Sequence, residues 1–477
     1  MTTKKKLTKI SSSIQRSLSD LLKEHPLIVS IVYEIHNNGG RILLVGGAVR
    51  DLLLGLHTKD FDCEVHDISF KELESILRKF GEVSLVGKSF GVLRVHGLDA
   101  DWSMPRRDSA GRKPRVVIDE HMTLKEAFAR RDLTINAMGI DLITFELIDP
   151  FNGEHDLKNK ILRTPAPHLF IEDPLRFYRV MQFIGRFDMD PDNQLSNLCS
   201  TMDLSGISIE RIESEFEKLL LLSHAPSRGI RWINVIGRLS EILPELAATI
   251  GVPQEYDWHP EGDVFEHTMQ TIDAAARLHY DNTEHKLIIL YAALCHDLGK
   301  VTTTRIIEGR IRSLGHEQEG VVPTKQLLKR ITTKKIVIDS VISLVKHHMA
   351  PGQFISNNAG SAAYKRLAKK LAPDANLFML AQLALADKRG RASGSHEPLD
   401  ISIPFVEEFE KKAAKAHVLF QPEAPILQGK DIIDAIEPGP LMGKLLKQSY
   451  VIQIEDNIHN KAELKKRVLA LQKKDKK

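Results

Sequence analysis

The stretch LLVGGAVRDLLLGLHTKDFDCEV, residues 43–65, decides how the rest of the chain is read. An apolar run enters Gly46-Gly47, and a helical segment follows. Glycines between a strand and a helix let backbone N–H groups approach a phosphate, and the helix dipole favours its negative charge. Asp60 and Asp62 then lie two apart, so on a strand both project from one face while Phe61 and Cys63 point into a core. Two bare carboxylates side by side repel each other unless a cation sits between them. Downstream, LDADWSMPRR places Asp99 and Asp101 on one face of another expected strand, either of which can supply a third carboxylate. Three strand-borne carboxylates suit two Mg²⁺ ions, which activate a hydroxyl nucleophile and neutralise a leaving pyrophosphate.

Working outward, Arg106, Arg107, Arg112, Lys113 and Arg115 fall in a Gly/Pro-containing loop with only Asp108 opposing them. That is the composition of a mobile arm beside a triphosphate, or of a solvated loop. The segment ARRDLTINAMGID opens with Arg130, Arg131 and Asp132, and its Asn136 can reach a sugar or phosphate. Next, EDPLRFYRVMQFIGRF (172–187) begins with Asp173-Pro174, an ordinary helix start. Capping does not account for Arg176, three residues on and on the same face, or Arg179 a turn later. Arg176 can only donate hydrogen bonds and ionised Asp173 can only accept them. Cytosine and adenine both present an exocyclic amine beside a ring-nitrogen acceptor, whereas uracil and guanine present a carbonyl beside an N–H. An Asp/Arg pair would accept C and A and reject U and G.

The rest of the chain sets the frame. At 477 residues it has room for about three domains. With 42% apolar and 27% charged residues it is an ordinary globular mixture, not a largely disordered chain. The net charge of +3 points to no polyanion, but residues 1–10 and 461–477 are strongly basic and the interior is mildly acidic. Cys63, Cys199 and Cys295 lie far apart with no CxxC spacing, which fits a reducing compartment and no thiolate zinc. The longest apolar run, Leu287 to Cys295, is well short of the ~20 residues of a spanning helix, so a soluble cytoplasmic protein with no membrane association is expected. Residues 26–150 alternate short β-rich runs with helical stretches. From Glu172 onward strands nearly vanish and 3.6-residue periodicity dominates.

Taken in order, LVGGAVRDLLLG, KDFD, DWSMPRR, RRDLTINAM and EDPLRFYRV resemble the bacterial CCA-adding tRNA nucleotidyltransferases. These belong to a polymerase-β-like group that also holds bacterial poly(A) polymerases. The resemblance runs most strongly over about residues 40–225. It implies an α+β fold: a nucleotidyltransferase head, then an elongated all-helical neck, HD domain and tail. It selects Asp101 over Asp99 as the third metal carboxylate. It also implies that Gly47, Arg50, Arg131, Arg176 and Arg179 bind incoming CTP or ATP, with Asp173 and Arg176 as a protein template. Gly46, Asp132 and Asn136 complete the expected nucleotide site.

His267, the adjacent His296-Asp297 before Gly-Lys, and Asp387 sit in successive helical segments. Together they resemble the HD phosphohydrolase domain, whose residues of these types bind a divalent metal. His316 and His348 stand where two-metal members add ligands. Such all-His/Asp ligation suits Mg²⁺, Mn²⁺, Ni²⁺ or Fe. The expected organisation is a basic extension (1–25), head (26–165), neck with base-reading helix (166–250), HD domain (251–400) and tRNA-contacting tail (401–477). The expected activity is template-independent addition of C, C and A to tRNA from CTP and ATP. Alternatives are a poly(A) polymerase, a partial CC- or A-adding enzyme, or an HD phosphohydrolase with a non-catalytic head.

Overall fold

A computed structural model describes residues 8–56, 58, 61–86, 91–108, 116–394 and 396–474. Asp60 and the loop cations Arg112, Lys113 and Arg115 lie outside the described residues, as do the extreme ends of both basic tails. The chain folds as two compact units, residues 1–208 and 209–477.

The first unit is built on one eight-stranded sheet. In chain order its strands are β1 (Thr8–Lys9), β2 (Arg41–Val45), β3 (Phe61–His66), β4 (Val83–Val86), β5 (Val92–Val95) and β6 (Ala100–Ser103). A separate antiparallel pair, β7 (Arg106–Asp108) and β8 (Val116–Ile118), begins the arginine loop, and β9 (Gly139–Asp141) and β10 (Glu146–Ile148) complete the large sheet. The sheet order is β1-β10-β9-β2-β3-β6-β5-β4. β3 and β6 run parallel, and the other neighbours are antiparallel. Period-2 alternation sends Phe61, Cys63 and Val65 to one face of β3, where all three are buried. Asp62, Glu64 and His66 share the other face. Trp102 of β6, fully buried beside Cys63 in the register, backs the same strand pair. Helix starts follow the local chemistry, with reciprocal Ser69–Glu72 and Thr123–Glu126 capping boxes. The helix Leu175–Phe187 buries Phe177, Val180, Met181 and Ile184, which leaves Arg176 and Arg179 for the polar side.

Among the described residues the second unit is helical apart from one short antiparallel hairpin, Arg305–Ile307 with Arg310–Arg312. Its centre is the helix Thr283–Cys295, buried continuously from Leu287 to Cys295, so the longest apolar run of the sequence is a core helix. Toward the C-terminus, Leu427, Ile432, Ile436, Met442, Leu445, Leu464 and Val468 form a cluster of their own. The basic terminal helix Lys461–Lys474 spends several cations within its own unit: Lys461 on Asp431, Lys465 on Asp434, and Arg467 on Asp456 and Glu463. Among the described residues no helix is long and apolar enough to cross a membrane.

Candidate active site and metal centre

In the first unit the parallel pairing of β3 with β6 sets Asp62 directly beside Asp101. Adjacent strands lie only about 4.8 Å apart, so two carboxylates leave from neighbouring positions toward one side of the sheet. Asp99 precedes β6, outside this register. Asp101 is partly exposed and ion-paired with Arg94, its register partner on β5 (2.6 Å).

Gly46 closes β2 in a left-handed backbone conformation (φ 72°) that side-chain-bearing residues rarely adopt. A methyl there would sit 2.8 Å from an Arg131 guanidinium nitrogen and 4.0 Å from Asp62 Oδ2. The glycine therefore makes room where Arg131 and Asp62 converge. Arg131 is steadied by Glu64 (3.5 Å), and Glu64 also contacts His66 (3.0 Å). Burial would raise the Glu64 carboxyl, but the His66 contact and Arg131 hold it below its usual value. Glu64 was not singled out from the sequence, although it lies two beyond Asp62 on the same strand face.

A second chain of contacts joins the sequence motifs. Arg50 is buried, donates to Asn136 Oδ1 (2.7 Å), pairs with Asp51 (2.8 Å) and lies over the rings of Phe187 and Phe183. Asn136 donates to Asp132 Oδ1 (3.0 Å), and Arg179 donates to Asp132 Oδ2 (2.6 Å). Burial alone would push the Asp132 carboxyl up; Arg179 and Asn136 outweigh it and bring it down to about 2. Arg176 donates to the carbonyls of Leu169 (2.7 Å) and Arg130 (2.5 Å), and Asp173 Oδ1 accepts from the Leu175 N–H (3.1 Å). The expected template pair thus begins the helix and ties it to the RRD segment. Arg50, Asn136, Asp132 and Arg179 thus form one chain of contacts, with the backbone at Gly47 close to the Arg50 guanidinium.

The second unit gathers all six expected HD-type residues. His267 comes from the helix Val264–Ala276, His296 and Asp297 follow the helix Thr283–Cys295, and His316 begins the helix His316–Glu319. His348 ends the helix Lys335–His347, and Asp387 lies in the helix Leu377–Arg389. They form two adjoining sets, His267–His296–Asp387 and Asp297–His316–His348. Asp297 joins them, with Oδ2 3.2 Å from His296 Nε2 and Oδ1 3.3 Å from His316 Nε2. Gly299 makes the second set possible. Any Cβ there would meet the His316 carbonyl oxygen at 2.1 Å, so only glycine allows the two segments this close.

The imidazole tautomers show what these sets can bind. The Nδ1 atoms of His296, His316 and His348 face the carbonyls of Ala293 (2.9 Å), Ser313 (2.7 Å) and Val345 (2.7 Å). A carbonyl only accepts, so each Nδ1 carries a proton and each ring turns its Nε2 toward the cluster. Yet His296 Nε2 is 3.2 Å from His267 Nε2, and His316 Nε2 is 3.0 Å from His348 Nε2. Ring nitrogens this close to one another fit a shared cation, to which each ring in its neutral form would offer an Nε2 lone pair. Asp297 is held well below the usual carboxylate range: burial opposes ionisation, and His296 and Lys300 overcome it. Asp387 is likewise low, with Arg391 and Lys388 outweighing burial. Burial, aided by His316 and His296, pushes His348 down to about 3, which leaves it neutral.

Sequence reasoning passed over two residues of this centre. WHPEGD, 258–263, reads as a Pro/Gly break, yet His259 and Glu261 turn inward. Glu261 Oε1 is 2.6 Å from His267 Nδ1 and 2.9 Å from His259 Nδ1, and with His267 these form a third His/Glu group. Two titratable residues inside an apparent linker were the available signal.

The sheet with paired aspartates and the helical unit with its His/Asp cluster define a polymerase-β-like nucleotidyltransferase head joined to an HD domain. Family models agree, with the poly A polymerase head domain matching residues 42–163 and the HD domain matching residues 264–381. A multifunctional CCA protein of Pasteurella multocida is 34% identical over 319 residues, covering 65% of this chain and 74% of that protein. One from Xanthomonas campestris is 33% identical over 375 residues, covering 75% and 87%. The chain belongs to the multifunctional CCA protein family. Its fold also matches a Bacillus stearothermophilus CCA-adding enzyme in complex with CTP (TM-score 0.62, 19% identity, covering 94% and 98%). A Thermotoga maritima CCA-adding enzyme complexed with tRNA matches at TM-score 0.57 and 20% identity, covering 95% and 98%.

Proposed function

We infer that this protein adds C, C and A to the 3′ end of tRNA from CTP and ATP without a nucleic-acid template, releasing pyrophosphate, in the cytoplasm. The observation that carries the reading is Asp62 in register with Asp101, beside the Gly46–Arg131 convergence. Asp60, Asp62 and Asp101 would hold Mg²⁺, which when bound lowers the pKa of an attacking hydroxyl and offsets charge on the leaving pyrophosphate. The tRNA 3′ hydroxyl attacks the α-phosphate in line. Arg131 and the backbone at Gly46 and Gly47 face the triphosphate, and Arg50 is braced by Asn136 and Asp51 to support it. Arg179 with Asp132 fixes the helix that carries the base-reading pair. Asp173 and Arg176 accept the Watson–Crick edges of C and A and reject those of U and G.

The test incubates the protein with tRNA lacking its 3′ end and labelled CTP or ATP, separately and together. Extension that stops after CCA supports the reading. Stopping after CC, adding A alone, or running into a long A tail would replace it with a partial enzyme or a poly(A) polymerase. Substituting Asp173 or Arg176 is expected to scramble base choice, and unchanged C/A preference in both variants would remove the template role.

A second reading has its own observation, the convergent Nε2 atoms of the HD unit. Its His/Asp set would hold one or two divalent metals of the Mn²⁺, Ni²⁺, Fe or Mg²⁺ class, and such ions activate water against phosphoesters. Hydrolysis of bis(p-nitrophenyl) phosphate that His296→Ala abolishes is the expected outcome. Hydrolysis surviving in that variant would remove the assignment.

A further inference from the structure

Between Asp297 and His316 the chain makes an excursion whose charge the metal centre does not use. It leaves through the helix Lys300–Thr303, forms the hairpin Arg305–Ile307/Arg310–Arg312, and returns to His316. The register sets Arg305 opposite Arg312 and Ile307 opposite Arg310, so strand alternation brings these four side chains to one face. All three arginines are exposed. Among the described residues none of the three forms an ion pair, and Arg305 reaches only the carbonyl of its neighbour Thr304 (2.7 Å). Like charges directly opposite one another weaken a strand pair, and a polyanion lying across this face would relieve the repulsion.

The neighbouring segment supplies a different chemistry. Tyr256 and Trp258 are 71% and 63% exposed, high for rings of this size. They do not hang on a loose loop. Glu255 Oε2 accepts from the Ile311 N–H of the hairpin (3.0 Å). Lys300 Nζ bridges Gln254 Oε1 and Asp297 Oδ2, each at 2.7 Å. Arg391 donates both to the Trp258 carbonyl (3.0 Å) and to Asp387 (2.9 Å). Two aspartates of the metal centre therefore hold the aromatic segment in place, and the arginine hairpin is fastened to that segment.

We propose that the arginine hairpin and the Tyr256–Trp258 segment form a platform for single-stranded RNA that delivers a phosphoester-bearing RNA end to the HD centre. Guanidiniums neutralise backbone phosphates while aromatic rings stack on unpaired bases, the combination that single strands require. A mononucleotide is too short to use three arginines and two rings together. A duplex keeps its bases stacked inside and leaves the rings without partners. The delivery step rests on the phosphoesterase reading of the HD site, whereas the binding step does not.

The test uses the full-length protein and a fluorescein-labelled single-stranded RNA dodecamer ending in a 3′-phosphate. Hydrogen exchange locates the contact, anisotropy against salt counts the phosphates, and bis(p-nitrophenyl) phosphate monitors the HD centre independently. RNA bound elsewhere on the chain is common to wild type and variants and cancels in the comparison. The RNA is expected to slow exchange at 254–258 and 305–312. R305Q/R310Q/R312Q should lower the slope of log K against log salt by about 2, at roughly 0.7 per phosphate contact. Trp258→Ala should weaken binding about tenfold and leave that slope unchanged. Both variants should cleave the small ester at the wild-type rate. No protection at these two segments, unchanged affinity in both variants, or equal protection by a blunt RNA duplex overturns the platform. Protection in a protein that cleaves neither RNA end nor small ester overturns delivery and the phosphoesterase reading together. Cleavage of the small ester without protection overturns the platform alone.

Discussion

The two units each gather carboxylates, and they balance the charge in opposite ways. In the head, Asp62 and Asp101 stand on an accessible face of two central strands, and Asp101 is countered by the guanidinium of Arg94. In the HD unit, His267, His296 and Asp297 are at most 3% exposed, and imidazole nitrogens are directed at one another. A site of the first kind would hold cations that arrive and leave with a triphosphate, since an exposed guanidinium such as that of Arg94 can counter the charge in their absence. A site of the second kind is costly without a cation, because desolvated donors and lone pairs have no water to turn to. On the proposed function the head would borrow its metal with its substrate, and the HD unit would keep one.

The largest expected effect tests the first half of that contrast. Asp101→Ala should lower nucleotide incorporation by at least about a thousandfold while leaving small-ester hydrolysis by the HD unit untouched. Incorporation within tenfold of wild type would mean that Asp101 holds no metal. The second half is tested by chelation. Dialysis against a strong chelator should lower the midpoint of thermal unfolding by about 5 °C, recoverable with added metal, as expected for loss of a ligand that binds only the folded state. His296→Ala should abolish this response, and a chelator-insensitive midpoint in wild type would show that no resident metal exists. A finer probe is Glu261→Gln, predicted to weaken metal binding ten- to a hundredfold through loss of the carboxylate that orients His267. Isothermal titration of metal into stripped protein reads this directly, and unchanged affinity would reduce Glu261 to a packing residue.

The smallest expected effect concerns the head alone. Asp132 is lowered from the ordinary 3.8 to about 2 in the folded chain. A depressed carboxyl stabilises the fold above its unfolded pKa and loses that contribution as pH falls through the folded value. The head should therefore lose about 1–2 kcal/mol between pH 4 and pH 2. Denaturant midpoints for Asp132→Asn should lack this loss. An identical acid slope in wild type and variant would show that Asp132 is not the group responsible.

How much of this was legible differs between the two sites for a physical reason. Head residues lie on strands and turns, where a two-residue spacing already says which side chains share a face. Asp62 and the Gly46–Gly47 turn could be placed that way, and the resemblance settled Asp101 over Asp99. The same rule would have found Glu64, had the alternation been followed one step further. Long-range pairings were not legible: nothing local says that Arg94 faces Asp101, or that Arg176 would be engaged by the carbonyls of Leu169 and Arg130. In the HD unit each expected ligand was visible one at a time, as a histidine or aspartate in a helical segment. Glu261 was hidden because Pro260 and Gly262 mark its surroundings as a break, and burial of that turn is a tertiary event. The terminal helix shows the reverse case. Its composition suggests a free basic surface, whereas Lys461, Lys465 and Arg467 are paired with acids of the same unit.

The close approach of Gly299 to the His316 carbonyl has one more consequence. Together with the hydroxyl contact between Thr304 and Ser313 (2.8 Å), it pins both ends of the excursion that carries the arginine hairpin. Whatever lies between residues 304 and 313 can lengthen, shorten or change charge without moving the metal ligands on either side, because closing a longer loop across a fixed base costs little. The hairpin is in that sense an exchangeable cartridge: a lineage could retarget the HD centre by rewriting the eight residues 305–312 and leave the geometry of the His/Asp cluster as it found it.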